Sequence, residues 1–222
     1  MKRQLLIFDL DGTLIDSRKD LATSVNLMRS HYGLPPLPID SIIGFIGDGV
    51  RSLVARSLVG TGLDVDEAVS VQRPIYRAHL HDETTLYDGV DEGLRKLHAA
   101  GHTLVVATNK PADATKIILV HFGIRPLFSR VYGGGSGLAL KPDPEMVSDA
   151  MNITGFAAVD TWMIGDNHTD LEAAHRAGVR SVFAGYGFGQ RNVQRSDREA
   201  RSFDEIVGIF LSSGGFKGGC RA

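Results

Sequence analysis

The chain has one cysteine, Cys220, in 222 residues, so no disulfide framework can form within a molecule. Stability has to come from core packing, which a reducing cytoplasm tolerates. A long hydrophobic run is also missing. The basic start Met1-Lys2-Arg3-Gln4 leads into Leu5-Leu6-Ile7-Phe8, but this apolar run stops at Asp9 and is too short for the core of a signal peptide. No stretch approaches the ~18 apolar residues of a membrane span. Charge of one sign is lacking too. The 24 basic and 26 acidic residues leave a net charge of −2, which argues against nucleic acid or an acidic membrane surface as partner. What is present is apolar content of 43%, typical of a packed globular chain. The expectation is a cytoplasmic protein, monomer or homodimer, with no nucleic-acid or membrane partner.

Two rhythms run along the chain. Gln4–Phe8 reads as a buried strand. From Ser17 to about Thr85 the pattern is helical, with no convincing strand. Leu21, Val25, Met28 and Tyr32 recur at helical spacing and read as packing. Ser17 is placed to cap this helix, and Gly33 to close it. Further helices are predicted near Val50–Val59 and Asp66–Leu80. After Thr85, strand and helix alternate. Strands are expected at Thr103–Ala107, Ser129–Tyr132, Thr161–Ile164 and Arg180–Ala184, and helices at Val90–Ala99, Ala112–Phe122, Pro144–Asn152, Thr169–Ala177 and Asp204–Leu211. This alternation predicts an α/β fold, a Rossmann-like parallel sheet with helices on both faces. The first strand belongs with the later set. Residues 1–15 and 86–222 therefore form the expected core, and 16–85 an inserted α-helical cap. The glycine-rich tail from Ser212 is expected to be mobile.

In open parallel sheets, sites form beyond the carboxyl ends of the strands. The segments expected there are Asp9-Leu10-Asp11-Gly12-Thr13, Thr108-Asn109-Lys110, Lys141-Pro142-Asp143 and Gly165-Asp166-Asn167-His168-Thr169-Asp170. Acids, a lysine and a hydroxyl thus gather on one rim. Crowded carboxylates repel one another unless a cation sits among them, and oxygen ligands without a supporting His or Cys favour a hard ion such as Mg²⁺. Asp9 and Asp11 are two apart, so they share a side of the strand, and Gly12 lets the chain turn. One carboxylate can attack while the other handles protons. Lys141 and the metal can neutralise a phosphoryl group, whose transfer depends mainly on positioning and charge stabilisation. Thr108 and Asn109 start a loop ahead of a helix, where free N–H groups favour an anion. His168 reads as a rim residue rather than a base.

Taken together, these motifs resemble the phosphatase branch of the haloacid dehalogenase superfamily, the branch with a small helical cap. The resemblance runs to about Leu211, and its strongest element is Asp9-Leu10-Asp11-Gly12-Thr13-Leu14. It implies a phosphoric monoester hydrolase acting on a small phosphorylated metabolite, with Asp9 as nucleophile and metal ligand. Asp11 would protonate the leaving oxygen, activate water and lend its carbonyl to the Mg²⁺. Thr13 would position the first motif. Thr108 and the amide of Asn109 would hold the phosphoryl oxygens, and Lys141 would neutralise charge. Asp166 would ligate Mg²⁺, and Asp170 would support it directly or through water. Thr108-Asn109-Lys110-Pro111 and Ile46-Gly47-Asp48-Gly49-Val50 look like phosphoglycolate phosphatases, which usually carry an asparagine where Asp48 stands and a small hydroxyl residue where Asn167 stands. The resemblance makes phosphoglycolate the leading substrate, with Arg18, Arg51 and Lys110 as candidates to grip its carboxylate and Asp48 in a loop beside it. Competing readings are a phosphomutase or pyrophosphatase of the same superfamily and, from a different class, a phospho-receiver switch. That switch would carry no acid two residues beyond its phosphate-accepting aspartate and no helical insert.

Overall fold

The computed structural model describes residues 2–212; the glycine-rich segment beyond Ser212 and Cys220 lie outside them. Strand β1 (Leu5–Phe8) is the continuous apolar run, with all four residues buried. Two residues at Ile15–Asp16 form β2. Four helices follow: α1 (Arg18–His31), α2 (Ile39–Ile43), α3 (Val50–Ser57) and α4 (Val65–Ala78). The chain returns through β3 (Thr85–Leu86) and then alternates: α5 (Val90–Ala99), β4 (Thr103–Pro111), α6 (Ala112–His121), β5 (Phe128–Gly134), α7 (Glu145–Thr154), β6 (Thr161–Gly165), α8 (His168–Arg176), β7 (Arg180–Ala184), β8 (Arg198–Ala200) and α9 (Phe203–Leu211).

The main sheet has six strands in the order β5-β4-β1-β6-β7-β8, and every pairing in it is parallel. The α/β expectation therefore holds, with the first strand central among the later ones. Because side chains alternate along a strand, β1 feeds two cores. Leu5 and Ile7 pack with Met146, Val147 and Ala174. Leu6 and Phe8 pack with Leu94, Ile118 and Phe203 on the other face. A third cluster, built on Met28, Val54, Leu58 and Ala68, lies within the helical segment.

The helical segment joins the rest through β2 and β3, which pair antiparallel with Ile15 opposite Leu86 and Asp16 opposite Thr85. Buried Asp20, in the first turn of α1, clamps this junction. Its carboxylate accepts from the backbone N–H groups of Glu83 (3.0 and 3.1 Å) and Thr84 (2.8 Å) and from the Thr84 hydroxyl (2.6 Å). Ser17 does not cap α1 with its side chain. Its hydroxyl donates to Asp11 instead. Helix α4 runs through Pro74. A proline in a helix interior removes a hydrogen bond and costs ~3 kcal/mol or more. Burial of Ala68, Gln72 and Tyr76 and the Asp64 cap, which accepts from the Glu67 N–H at 2.8 Å, work against that cost.

Strand β4 extends four residues past its expected end, through Thr108, Asn109 and Lys110 to Pro111, and its register with β5 breaks between Ala107 and Pro111. Thr108 and Asn109 thus stand at an irregular strand end, not in a loop. The register break disrupts the ladder locally.

Candidate active site

At the carboxyl end of β1, Asp9 follows Phe8, which pairs with Val106 of β4 and Ile164 of β6. The rim expected from the sequence is assembled on three adjacent strands. Carboxylate oxygens of Asp9, Asp166 and Asp170, all buried, lie within 4.8 Å of one another. Lys141 reaches in between them, its ammonium 2.9 Å from Asp9 Oδ1 and 2.6 Å from Asp170 Oδ1. Burial works to lower the Lys141 pKa, but Asp170 and Asp9 outweigh it and hold it raised. The second oxygen of Asp170 accepts the backbone N–H of Asn167 at 3.0 Å, closing the first turn of α8. Burial pushes the Asp170 carboxyl up to about 7 against the pull of Lys141.

Among the described residues, Asp166 has no ammonium within ion-pair distance. Its Oδ2 accepts the Gly189 N–H at 2.7 Å. Burial first, then the charges of Asp9 and Asp170, hold its carboxyl well above the usual carboxylate range. Three buried carboxylates against one lysine make a site short of positive charge, and an all-oxygen donor set suits a hard divalent cation. The residues fit such an ion, with Asp9 and Asp166 best placed as ligands and Asp170 already committed to Lys141 and the α8 cap.

Asp11 is turned away from this cluster. Its carboxylate takes both contacts from Lys110 Nζ, at 2.9 and 3.1 Å, and a hydrogen bond from Ser17. Lys110, expected as a grip for a substrate carboxylate, is buried and already paired with Asp11. It also donates to the hydroxyl of Tyr76, which α4 brings from the helical segment. Burial acts to lower its pKa, and Asp11 and Tyr76 outweigh that effect. Burial pushes the Tyr76 phenol up to about 12, so it stays protonated at neutral pH.

Asn109 works as a cross-brace. Its amide nitrogen donates to the carbonyls of Gly47 (2.9 Å) and Lys141 (2.8 Å), and its oxygen accepts the Lys141 N–H at 2.8 Å. One side chain thus ties the helical segment to the lysine loop. Thr108 is buried beside it, its hydroxyl accepting the Lys110 N–H at 3.3 Å. Thr13 is wholly buried. Its carbonyl accepts the Tyr186 hydroxyl at 2.6 Å, which anchors the first motif.

A cleft of about 860 Å³, counted to its open mouth, lies between this rim and the helices; Asp9, Asp11, Thr108 and Asp166 line one part, and Val50, Leu53, Arg73 and Tyr76 of α3 and α4 another. Three cap-side candidates do not line it. Arg51 is held by Asp66 at 2.8 Å. One residue along a helix turns the side chain by about 100°, so Val50 faces the cleft and Arg51 faces solvent. Arg18 is held by Asp16 at 2.9 and 2.6 Å. The Asp48 carboxylate is taken by Arg56 and lies 3.9 Å from His168, while its neighbours Gly47 and Gly49 line the cleft.

Several contributors were not read from the sequence: Tyr76, Arg73 and the segment Gly185-Tyr186-Gly187-Phe188-Gly189. A signal existed for the last. A Cβ at Gly187 would come within 2.4 Å of the Asp166 Cβ, and one at Gly189 within 2.8 Å of Asp166 Oδ2. Alternating glycines after a strand mark a loop that folds tightly over another part of the chain. Gly12, with φ +83°, meets the same side chain, since a Cβ there would fall 1.8 Å from Asp166 Oδ2.

Comparisons with known proteins agree with this geometry. Residues 6–184 match the family model described as haloacid dehalogenase-like hydrolase. A protein of Psychrobacter arcticus named phosphoglycolate phosphatase is 38% identical over 94% of this chain and 95% of its own length. One of the same name from Chromobacterium violaceum is 36% identical over 91% and 94%. Among solved structures, a protein from Haemophilus somnus 129pt, described as a predicted phosphoglycolate phosphatase, superposes with a TM-score of 0.88 at 31% identity, covering 94% of this chain and 98% of that one. No helix among the described residues is long and apolar enough to cross a membrane.

Proposed function

The chain belongs to the haloacid dehalogenase-like hydrolases, and from that premise we propose that it is a Mg²⁺-dependent phosphatase acting on phosphoglycolate. The single observation that carries the reading is the buried group of Asp9, Asp166 and Asp170 with Lys141 as its one ammonium. A phosphoryl group brings further negative charge, so it can settle there only if cations offset it. The substrate follows from the names of the relatives at 36 and 38% identity.

In this reading Asp9 attacks phosphorus in line, the ester bond breaks, and an aspartyl phosphate forms. Asp11 delivers the proton to the departing glycolate oxygen. It then takes a proton from the water that cleaves the aspartyl phosphate and releases inorganic phosphate. Lys110, Ser17 and, through Lys110, Tyr76 hold the Asp11 carboxylate in place for both transfers. Lys141 offsets charge on the transferred group, and Thr108 and the Asn109 N–H receive its oxygens. Asp9 and Asp166, with Asp170 behind them, would hold Mg²⁺, which would supply the remaining positive charge when bound. Residues 1–15 and 86–222 act as the catalytic core, and 16–85 as a cap that selects the leaving group.

The test is phosphate release across a panel of phosphorylated metabolites, with Mg²⁺ and with chelator. Phosphoglycolate should lead the panel, and the chelator should abolish turnover. A sugar phosphate or pyrophosphate in first place would replace the substrate. Full activity in metal-free buffer would remove the metal from the reaction.

A further inference from the structure

The cleft holds a cation without a counter-ion. Of the basic side chains that line it, Lys110 is engaged by Asp11 and Tyr76, and Arg77 lies 3.4 Å from Asp113 Oδ2. Arg73 lines the same cleft and, among the described residues, has neither a carboxylate nor any other hydrogen-bond acceptor. Surface arginines elsewhere in the helical segment are paired, Arg51 with Asp66 and Arg56 with Asp48. Arg73 therefore differs from Arg51 and Arg56 in place and pairing, and from Arg77 in pairing.

Its position follows from α4. Gln72 and Tyr76 are one turn apart and buried, and Tyr76 reaches Lys110. Arg73 is the next residue after Gln72, so it stands where the buried face gives way to the cleft. The phosphoryl end of a substrate is fixed at Asp9 on the sheet rim, and the rest of the molecule must project toward the helices. For phosphoglycolate that remainder ends in a carboxylate. A guanidinium presents a planar fork of donors that a carboxylate can accept in pairs.

We propose that Arg73 is a specificity-determining residue that receives the carboxylate of the leaving glycolate group. The inference rests on the phosphoglycolate reading above and adds to it the group that recognises the acid. It also assigns the role expected of Arg51 to a residue that lines the cleft. Hydrogen bonds to charged groups are among the stronger ones, so their loss should be visible as a change in relative specificity.

The experiment compares kcat and KM for phosphoglycolate and for ethyl phosphate, which lacks the carboxylate, in the parent, Arg73→Ala, Arg73→Lys and Arg77→Ala, all with Mg²⁺. The expected result is a fall of about 10- to 100-fold in the Arg73→Ala preference for phosphoglycolate, carried mainly by KM. Arg73→Lys should regain part of it, because the charge returns without the fork. Arg77→Ala should lose less than Arg73→Ala. If the parent prefers phosphoglycolate and Arg73→Ala keeps that preference, the inference fails while the proposed substrate stands. If the parent treats both esters alike, the substrate reading and the inference fall together. Equal losses on both esters in Arg73→Ala would also overturn it, since that pattern belongs to a residue supporting the fold or the chemical step.

Discussion

The sheet rim and the helical segment handle charge in opposite ways. On the rim, Asp9, Asp166 and Asp170 are at most 8% exposed and crowd three carboxylates around the single ammonium of Lys141. In the helical segment, opposite charges meet in pairs such as Arg51 and Asp66, whose side chains are 68 and 71% exposed. Exposed pairs contribute little to stability. Buried like charges cost stability outright. The lesson is that energetic cost locates chemistry better than charge itself does. The rim is poised against folding and the cap surface is not.

The comparison breaks most completely at Asp9. Asp9→Asn keeps the shape and removes the nucleophile, so turnover should fall on the order of 10⁴-fold or more. Phosphate release measures this, and mass spectrometry of the trapped phosphoenzyme checks the site. A phosphoryl group found on another residue would refute the mechanism.

Asp166→Asn sharpens the contrast, because it should improve the protein as a structure while ruining it as an enzyme. Relieving repulsion from Asp9 and Asp170 should raise the Tm of metal-free protein by a few degrees, on the order of 2–4 °C per kcal/mol for a chain of this size. The concentration of Mg²⁺ needed for activity should rise by about 10-fold or more, as for a lost metal contact. The parent should gain Tm on adding Mg²⁺, and the variant should gain much less. Thermal unfolding with and without Mg²⁺ decides this. A variant with a lower metal-free Tm would show that the carboxylates do not repel as described.

Asp20 is the cap segment's exception, a buried carboxylate used for structure alone. Asp20→Ala leaves the N–H groups of Glu83 and Thr84 without their acceptor, at a cost of about 1–3 kcal/mol, readable as a lower midpoint in urea. Asp20→Asn should recover part of it. The smallest effect belongs to Arg51→Ala, which should leave kcat/KM for phosphoglycolate and Tm at parental values. A selective rise in KM there would return the carboxylate to Arg51.

What could be read from the sequence divides along the same line. The rim was legible because its residues follow strands, and strands announce themselves. Leu5–Phe8 is an unbroken apolar run, and the position of Asp9 and Asp11 after it is a matter of counting. Helix α4 was legible across Pro74 because its apolar positions keep helical spacing. Other elements left no pattern. Strands β2 and β3 have two residues each, too short to display a period, and β8, Arg198-Glu199-Ala200, is mostly polar at the sheet edge. The roles of Arg51 and Arg73 were not legible for a different reason. Helical spacing says which residues share a face, but not what lies across from that face. The docking of α3 and α4 over the sheet decides which arginine lines the cleft.

The β2–β3 pair has a consequence beyond joining two regions. Asp16 and Thr85 are direct cross-strand partners, so the chain leaves and re-enters the sheet domain at one spot. A two-residue hairpin turn spans that gap. The whole stretch from 17 to 84 can therefore be treated as a cassette. Its excision asks nothing of the strand order, and a foreign helical module with closely spaced ends could be seated in the same socket. Such exchange would alter which esters are admitted while the rim stays as it is. The core would lose the Ser17 hydroxyl from Asp11, the Tyr76 hydroxyl from Lys110 and the Gly47 carbonyl from Asn109, together with the packing of Leu21, Val25 and Leu53 in its cluster.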